Sequence, residues 1–104
     1  MSMTKDAKLI VSVVAREKTE IILDAIEKEG AKKSTVLLGR SISADSPTLL
    51  FNLKIEPQRE VIFTLVSKQN ANRIFETILE SGELNTPHNG TVFILDVEKI
   101  GGSG

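Results

Sequence analysis

The feature that most limits what this chain can fold into is an internal repeat at half its length. Val13, Val14, Ala15 and Arg16 correspond to Leu65, Val66, Ser67 and Lys68, 52 positions later in a chain of 104 residues. Ile22, Leu23, Asp24, Ile26 and Gly30 correspond in the same way to Ile74, Phe75, Glu76, Ile78 and Gly82. Each unit reads strand, helix, strand. In the first, an apolar run predicts a strand over 8–15. A helix over 19–29 follows, with Ile22, Leu23, Ala25 and Ile26 as its apolar stripe and Gly30 as its stop, and then a strand over 34–38. In the second, the strand covers 60–67, the helix 70–81 with Ile74, Phe75, Ile78 and Leu79 inward and Gly82 as its stop, and the last strand 91–97. The order βαββαβ predicts an α+β ferredoxin-like sandwich, one antiparallel sheet with two helices on one face.

Such a sheet has a second face, and a solvated face reads polar at every other residue. This one does not. Leu9, Val11 and Val13 point opposite to Ile10 and Val14; Val61, Phe63 and Leu65 oppose Ile62 and Val66; Val92 and Ile94 oppose Phe93, Leu95 and Val97. Both faces are apolar, which predicts that another subunit covers the face without helices.

Composition closes off several classes. At 104 residues, 40% hydrophobic and 26% charged, the chain is expected to form one domain over 1–104, with flexible ends at 1–6 and 101–104. Thirteen basic and fourteen acidic side chains give a net charge of −1, so no overall field gathers nucleic acid or anionic lipid. The longest apolar runs are of strand length, which predicts no membrane insertion. The polar start of the chain, from Met1 to Asp6, lacks a signal peptide's apolar core, and there is no Cys; cytoplasmic location is the expectation.

Two connections are unusual. The segment 39–59 joins strands that a tight turn could join, and connections of this length are commonly functional. Within it Ser46, Pro47, Leu49, Leu50 and Leu53 predict a short helix stopped by Pro57, while the alternation of Phe51, Leu53 and Ile55 permits an extended segment. Leu49, Leu50, Phe51 and Leu53 thus form an apolar patch on a projecting loop, a candidate surface either for binding a separate partner or for packing against a neighbouring subunit. The second connection, 82–90, ends in Asn89-Gly90, where positive φ and consecutive N–H groups are the ingredients of an anion-binding nest.

Catalytic equipment is sparse: no Cys, Tyr or Trp, and one His. His88 has no second His or Cys beside it in sequence, so no metal site is expected. The acidic residues Glu27, Glu29, Glu76 and Glu80 stand among Lys28 and Arg73 in the pattern of a solvated helix surface. The chain reads as a non-enzyme.

The βαββαβ order, the long connection opening with Gly39-Arg40, and the stretch Ser81-Gly82-Glu83-Leu84 with Asn89-Gly90-Thr91-Val92-Phe93 together resemble the PII family of nitrogen-regulatory signal-transduction proteins. The resemblance implies a homotrimer with its sheets packed inward and ATP or ADP bound in clefts between subunits. It also implies a projecting T-loop, here 39–59, that docks on a regulated partner: a membrane transporter, an enzyme or a transcription factor. It places Gly39, Arg40, Asn89, Gly90 and Thr91 at the nucleotide, and Thr35 where the family's adenine-contacting Thr stands. The chain departs from the family at several positions. Leu37 replaces the first Gly of the T-loop base, and Ser41 replaces the Gln that supports metal and 2-oxoglutarate binding. Thr91 stands where a Lys would bring charge to the phosphates, and the T-loop has no Tyr. Three rivals share the fold class: a metal-tolerance-type trimer using His88 for a divalent cation, a dimeric small-molecule-sensing domain, and an acylphosphatase-like enzyme starting from Arg16.

Overall fold

The computed structural model describes residues 6–31, 33–39 and 59–102. The short helix and apolar patch expected within 39–59, including Leu49, Leu50, Phe51 and Leu53, lie outside the described residues, as does Arg40. The described chain runs β1 (Ala7–Ala15), a 3-10 turn (Arg16–Lys18), α1 (Thr19–Lys28), β2 (Ser34–Gly39), β3 (Arg59–Ser67), α2 (Lys68–Ser81) and β4 (Gly90–Asp96). The predicted order and element types are those observed, with ends displaced by one or two residues. The largest displacement is at α2, which starts at Lys68 because no residue between Ser67 and Ala71 resists helical geometry.

All strand pairs are antiparallel, in the order β2-β3-β1-β4. β1 and β3 are nine residues each and start 52 residues apart, and Val11 pairs with Phe63, its own mate in the repeat. The sheet is therefore built around a pseudo-two-fold axis at the Val11–Phe63 pair. Ile10 and Val14 of β1 with Ile62 and Val66 of β3 face the helices. There they meet Ile22 and Ile26 of α1 and Ala71, Ile74 and Ile78 of α2 in one buried cluster. The apolar stripes of both helices do what their spacing requires: Ile22, Ile26, Ile74 and Ile78 are all nearly inaccessible to solvent, while Leu23, Phe75 and Leu79 pack around the rim.

The opposite face holds three cross-strand rows: Leu65-Leu9-Leu95, then Thr35-Phe63-Val11-Phe93, then Leu37-Val61-Val13-Thr91. No helix covers it. Leu37 is 50% exposed, Leu95 47%, Leu65 42% and Phe93 39%, so four large apolar side chains share one surface. Monomers rarely present such a surface to water.

Both helices end in the same pair of bonds. Gly30 N–H donates to the Glu27 carbonyl and Ala31 N–H to that of Ile26; Glu83 N–H donates to the Glu80 carbonyl and Leu84 N–H to that of Leu79. The predicted roles of the two glycines differ in detail. Gly30 takes the left-handed position at φ 105, as expected, but in the second unit that position falls to Glu83 at φ 53. Gly82 keeps helical angles and serves close packing: a Cβ there would lie 2.8 Å from Ile22 Cδ1 and 2.9 Å from Leu84 Cδ2.

Candidate functional site

The connection between α2 and β4 is folded over one end of the sheet and fastened there from several sides. Its end continues the β1–β4 ladder, with Ala15 N–H donating to the Asn89 carbonyl at 3.0 Å. Its start is held by Lys18, whose Nζ lies 2.7 Å from a Glu83 carboxylate oxygen. That hydrogen bond and the charge of Lys18 hold the Glu83 carboxyl below its ordinary pKa. Asn89 Nδ2 closes the loop on itself by donating to the Glu83 carbonyl at 3.0 Å.

Gly90 is where the loop meets the sheet. Its φ of 140 is open only to glycine in practice, and a Cβ would lie 2.3 Å from the Val13 carbonyl oxygen and 2.8 Å from Val14 Cα. The backbone of β4 can start against β1 only because that position has no side chain. Thr91 follows on the open face, level with Val13.

The structure thus brings Asn89, Gly90 and Thr91 together as expected, but it makes no nest from consecutive N–H groups at 89 and 90. The Asn89 amide donates inward to the Thr86 carbonyl at 3.2 Å, and positive φ falls at His88, 74, and at Gly90. Gly39 is not adjacent to this loop. It ends β2 opposite Arg59, in the row Gly39-Arg59-Ala15 that closes this end of the sheet.

Arg59 bridges the distance, and sequence reasoning did not single it out. From the first position of β3 its Nη1 donates to the His88 carbonyl at 2.7 Å. With Val13, His88, Gly90 and Thr91 it lines a recess of about 180 Å³ at the open-face end of the sheet. The signal was present: a basic residue at the return of a long connection, immediately before the apolar run Val61-Ile62-Phe63. The other cations at this end are engaged with acids, Arg16 with Glu60 at 3.8 Å and Lys18 with Glu83, whereas Arg59 forms no ion pair among the described residues.

A larger concavity, about 600 Å³, lies on the same face toward the β2 edge. Leu9, Thr35, Phe63 and Leu65 form its floor, and Ile100, Gly101 and Gly102 its wall. Thr35 and Thr91 stand on opposite edge strands, about 15 Å apart by strand spacing.

Among the described residues no three His, Cys, Asp or Glu side chains are grouped to hold a metal ion, and no helix is long and apolar enough to cross a membrane. Arg16, the starting point of an acylphosphatase reading, sits on the 3-10 turn in its pair with Glu60 and does not line the recess.

No protein-family model matches the sequence, and no curated protein is similar to it in sequence. Solved structures do match. One is a crystal structure of Arabidopsis thaliana PII bound to citrate, similar at a TM-score of 0.72 and 18% identity over 89% of this chain and 78% of that one. The chain has the ferredoxin-like fold of PII proteins.

Proposed function

We propose that the chain is a divergent PII-like regulator, a non-catalytic trimer that binds an adenine nucleotide between subunits and acts on a partner protein through the connection 39–59. The observation that carries this reading is the placement of the recess. It combines a glycine-dependent backbone approach, a hydroxyl at Thr91 and a guanidinium at Arg59 that has no ion pair among the described residues, and it opens on an apolar sheet face that no described helix covers. The likeness in fold to PII supports the same reading.

Neither concavity alone encloses a nucleotide. The recess is polar and small, and the concavity at Thr35 is apolar and open. When copies of this face pack together, the recess of one subunit is completed by the apolar concavity of the next, which receives the base while the recess receives the phosphates. Three copies burying Leu37, Leu65, Phe93 and Leu95 also remove the surface that a monomer would leave in water.

Gly39 and Arg59 are the last pair of the β2–β3 ladder, so the connection 40–58 springs from a pair of which Arg59 lines the recess. Ligand contacts at that pair differ between the bound and empty states, and this difference is what shifts the loop's affinity for its partner. The cytoplasm, where nucleotides are abundant, is the corresponding location.

The test is subunit mass by light scattering together with thermal unfolding in ATP, ADP and AMP. The expected mass is three times the chain's 11.4 kDa. A nucleotide at a hundredfold over its Kd stabilises by about 2.7 kcal/mol, a shift of several degrees for a domain of this size. A mass twice that of the chain would favour the dimeric sensing domain, and no shift with any nucleotide would remove the ligand part of the reading.

A further inference from the structure

We infer that Arg59 is the residue that recognises the phosphate groups of the ligand, supplying from the start of β3 the positive charge that the loop 82–91 does not contain. The inference rests on the nucleotide reading above and deepens it at one residue.

A polyphosphate site needs donors and positive charge, and the loop provides little of either. Its side chains between Gly82 and Thr91 include Glu83 and no Lys or Arg. Its Asn89 amide is engaged with the Thr86 carbonyl and its Asn89 side-chain amide with the Glu83 carbonyl. The Thr91 hydroxyl is a neutral donor. The nearby cations Arg16 and Lys18 are partnered by Glu60 and Glu83 and do not line the recess. Arg59 does line it, and no carboxylate among the described residues competes for it.

A guanidinium has five N–H donors in a planar fork. One contact, to the His88 carbonyl at 2.7 Å, fixes the orientation of the group against the loop. The donors not engaged there remain to take phosphate oxygens, in the two-pronged geometry that distinguishes Arg from Lys. The His88 contact therefore orients the fork instead of consuming it. Gly90, also in the recess lining, adds no side chain to it, and Thr91 adds a hydroxyl beside the guanidinium.

The experiment measures binding of ADP and of inorganic pyrophosphate by calorimetry to the full chain and to four variants. Arg59→Gln keeps a donor for the His88 carbonyl and removes the charge; affinity for both ligands is expected to fall at least about tenfold. Arg59→Lys keeps the charge without the fork and loses less. Thr91→Lys, placed in the Arg59→Gln background, returns a cation to the recess and recovers binding; Thr91→Lys alone tightens it. Subunit mass and cooperative unfolding are read on every variant, so a loss caused by misfolding is recognised as such.

If the unaltered protein binds and Arg59→Gln binds equally well, the inference is overturned while the nucleotide reading stands. If Arg59→Gln loses binding and Thr91→Lys does not restore it, Arg59 serves only to pin the loop, which also overturns it. If the unaltered protein binds neither ADP nor pyrophosphate, the nucleotide reading itself fails and the inference with it.

Discussion

The two halves of the molecule run in parallel up to the ends of their helices and then part. β1 and β3 are the same length and pair about their own repeat mates, and both helices end in the same two backbone bonds. After that, Phe93 stands beside Val11 as Thr35 stands beside Phe63, an offset of 58 instead of 52. The second helix-to-strand passage carries six additional residues. In the first half the chain goes from Ala31 almost directly into β2. In the second it covers the end of the sheet, is tied to Ala15, Lys18 and Arg59, and forms the recess. The repeat builds the frame, and the place where the repeat breaks is where the recess lies.

That comparison can be broken most directly at the glycines. Gly90→Ala puts a methyl group 2.3 Å from the Val13 carbonyl oxygen in a backbone conformation that disfavours any side chain. We expect a loss of about 3–4 kcal/mol in denaturant unfolding. Gly82→Ala presses on Ile22 and Leu84, whose side-chain ends can yield, and should cost about 1–2 kcal/mol. Its mate in the repeat, Gly30→Ala, meets nothing within 4 Å and bears only the left-handed φ, about 1 kcal/mol. If Gly30→Ala proved as damaging as Gly90→Ala, the contrast between the two passages would be wrong.

A smaller effect sharpens the same contrast through pH. Glu83 in the added loop is held below its ordinary pKa by the Lys18 hydrogen bond, and Asp96 at the far end of β4 by that of Lys8. Carboxyls whose folded pKa is lowered stabilise the fold fully above their unfolded pKa, and that contribution disappears as pH falls through the folded value. Stability should therefore be insensitive to these two groups above about pH 5 and decline below it. Glu83→Gln should flatten part of that decline and loosen the loop, seen as faster amide exchange at 83–89. Asp96→Asn should flatten its part without affecting the loop.

The sequence was legible wherever apolar periodicity and turn chemistry act locally. Ile22 and Ile26, Ile74 and Ile78, and the alternation along β1 and β3 defined elements, faces and the uncovered apolar surface. Gly90 was identifiable because Asn-Gly before a strand calls for a special backbone. Glu83 in the left-handed position was hidden behind Gly82, since the sequence offers glycine one residue earlier and only packing against Ile22 shows why it is there. Arg59 was hidden for a different reason. Its partner, the His88 carbonyl, is a backbone atom 29 residues away, and no side-chain pattern records such a contact. Gly39 appeared beside the loop in the motif but is separated from it by β3 and β1.

The most direct test of the account is a titration of ¹⁵N-labelled protein with inorganic pyrophosphate, followed by amide chemical shifts. Pyrophosphate has no base, so it isolates the phosphate end of the site. Saturable shifts are expected at Arg59 and at 88–91, with the corresponding passage of the first half, 30–34, unmoved. Shifts centred on 30–34, or none at 59 and 88–91 at saturating ligand, would contradict that expectation.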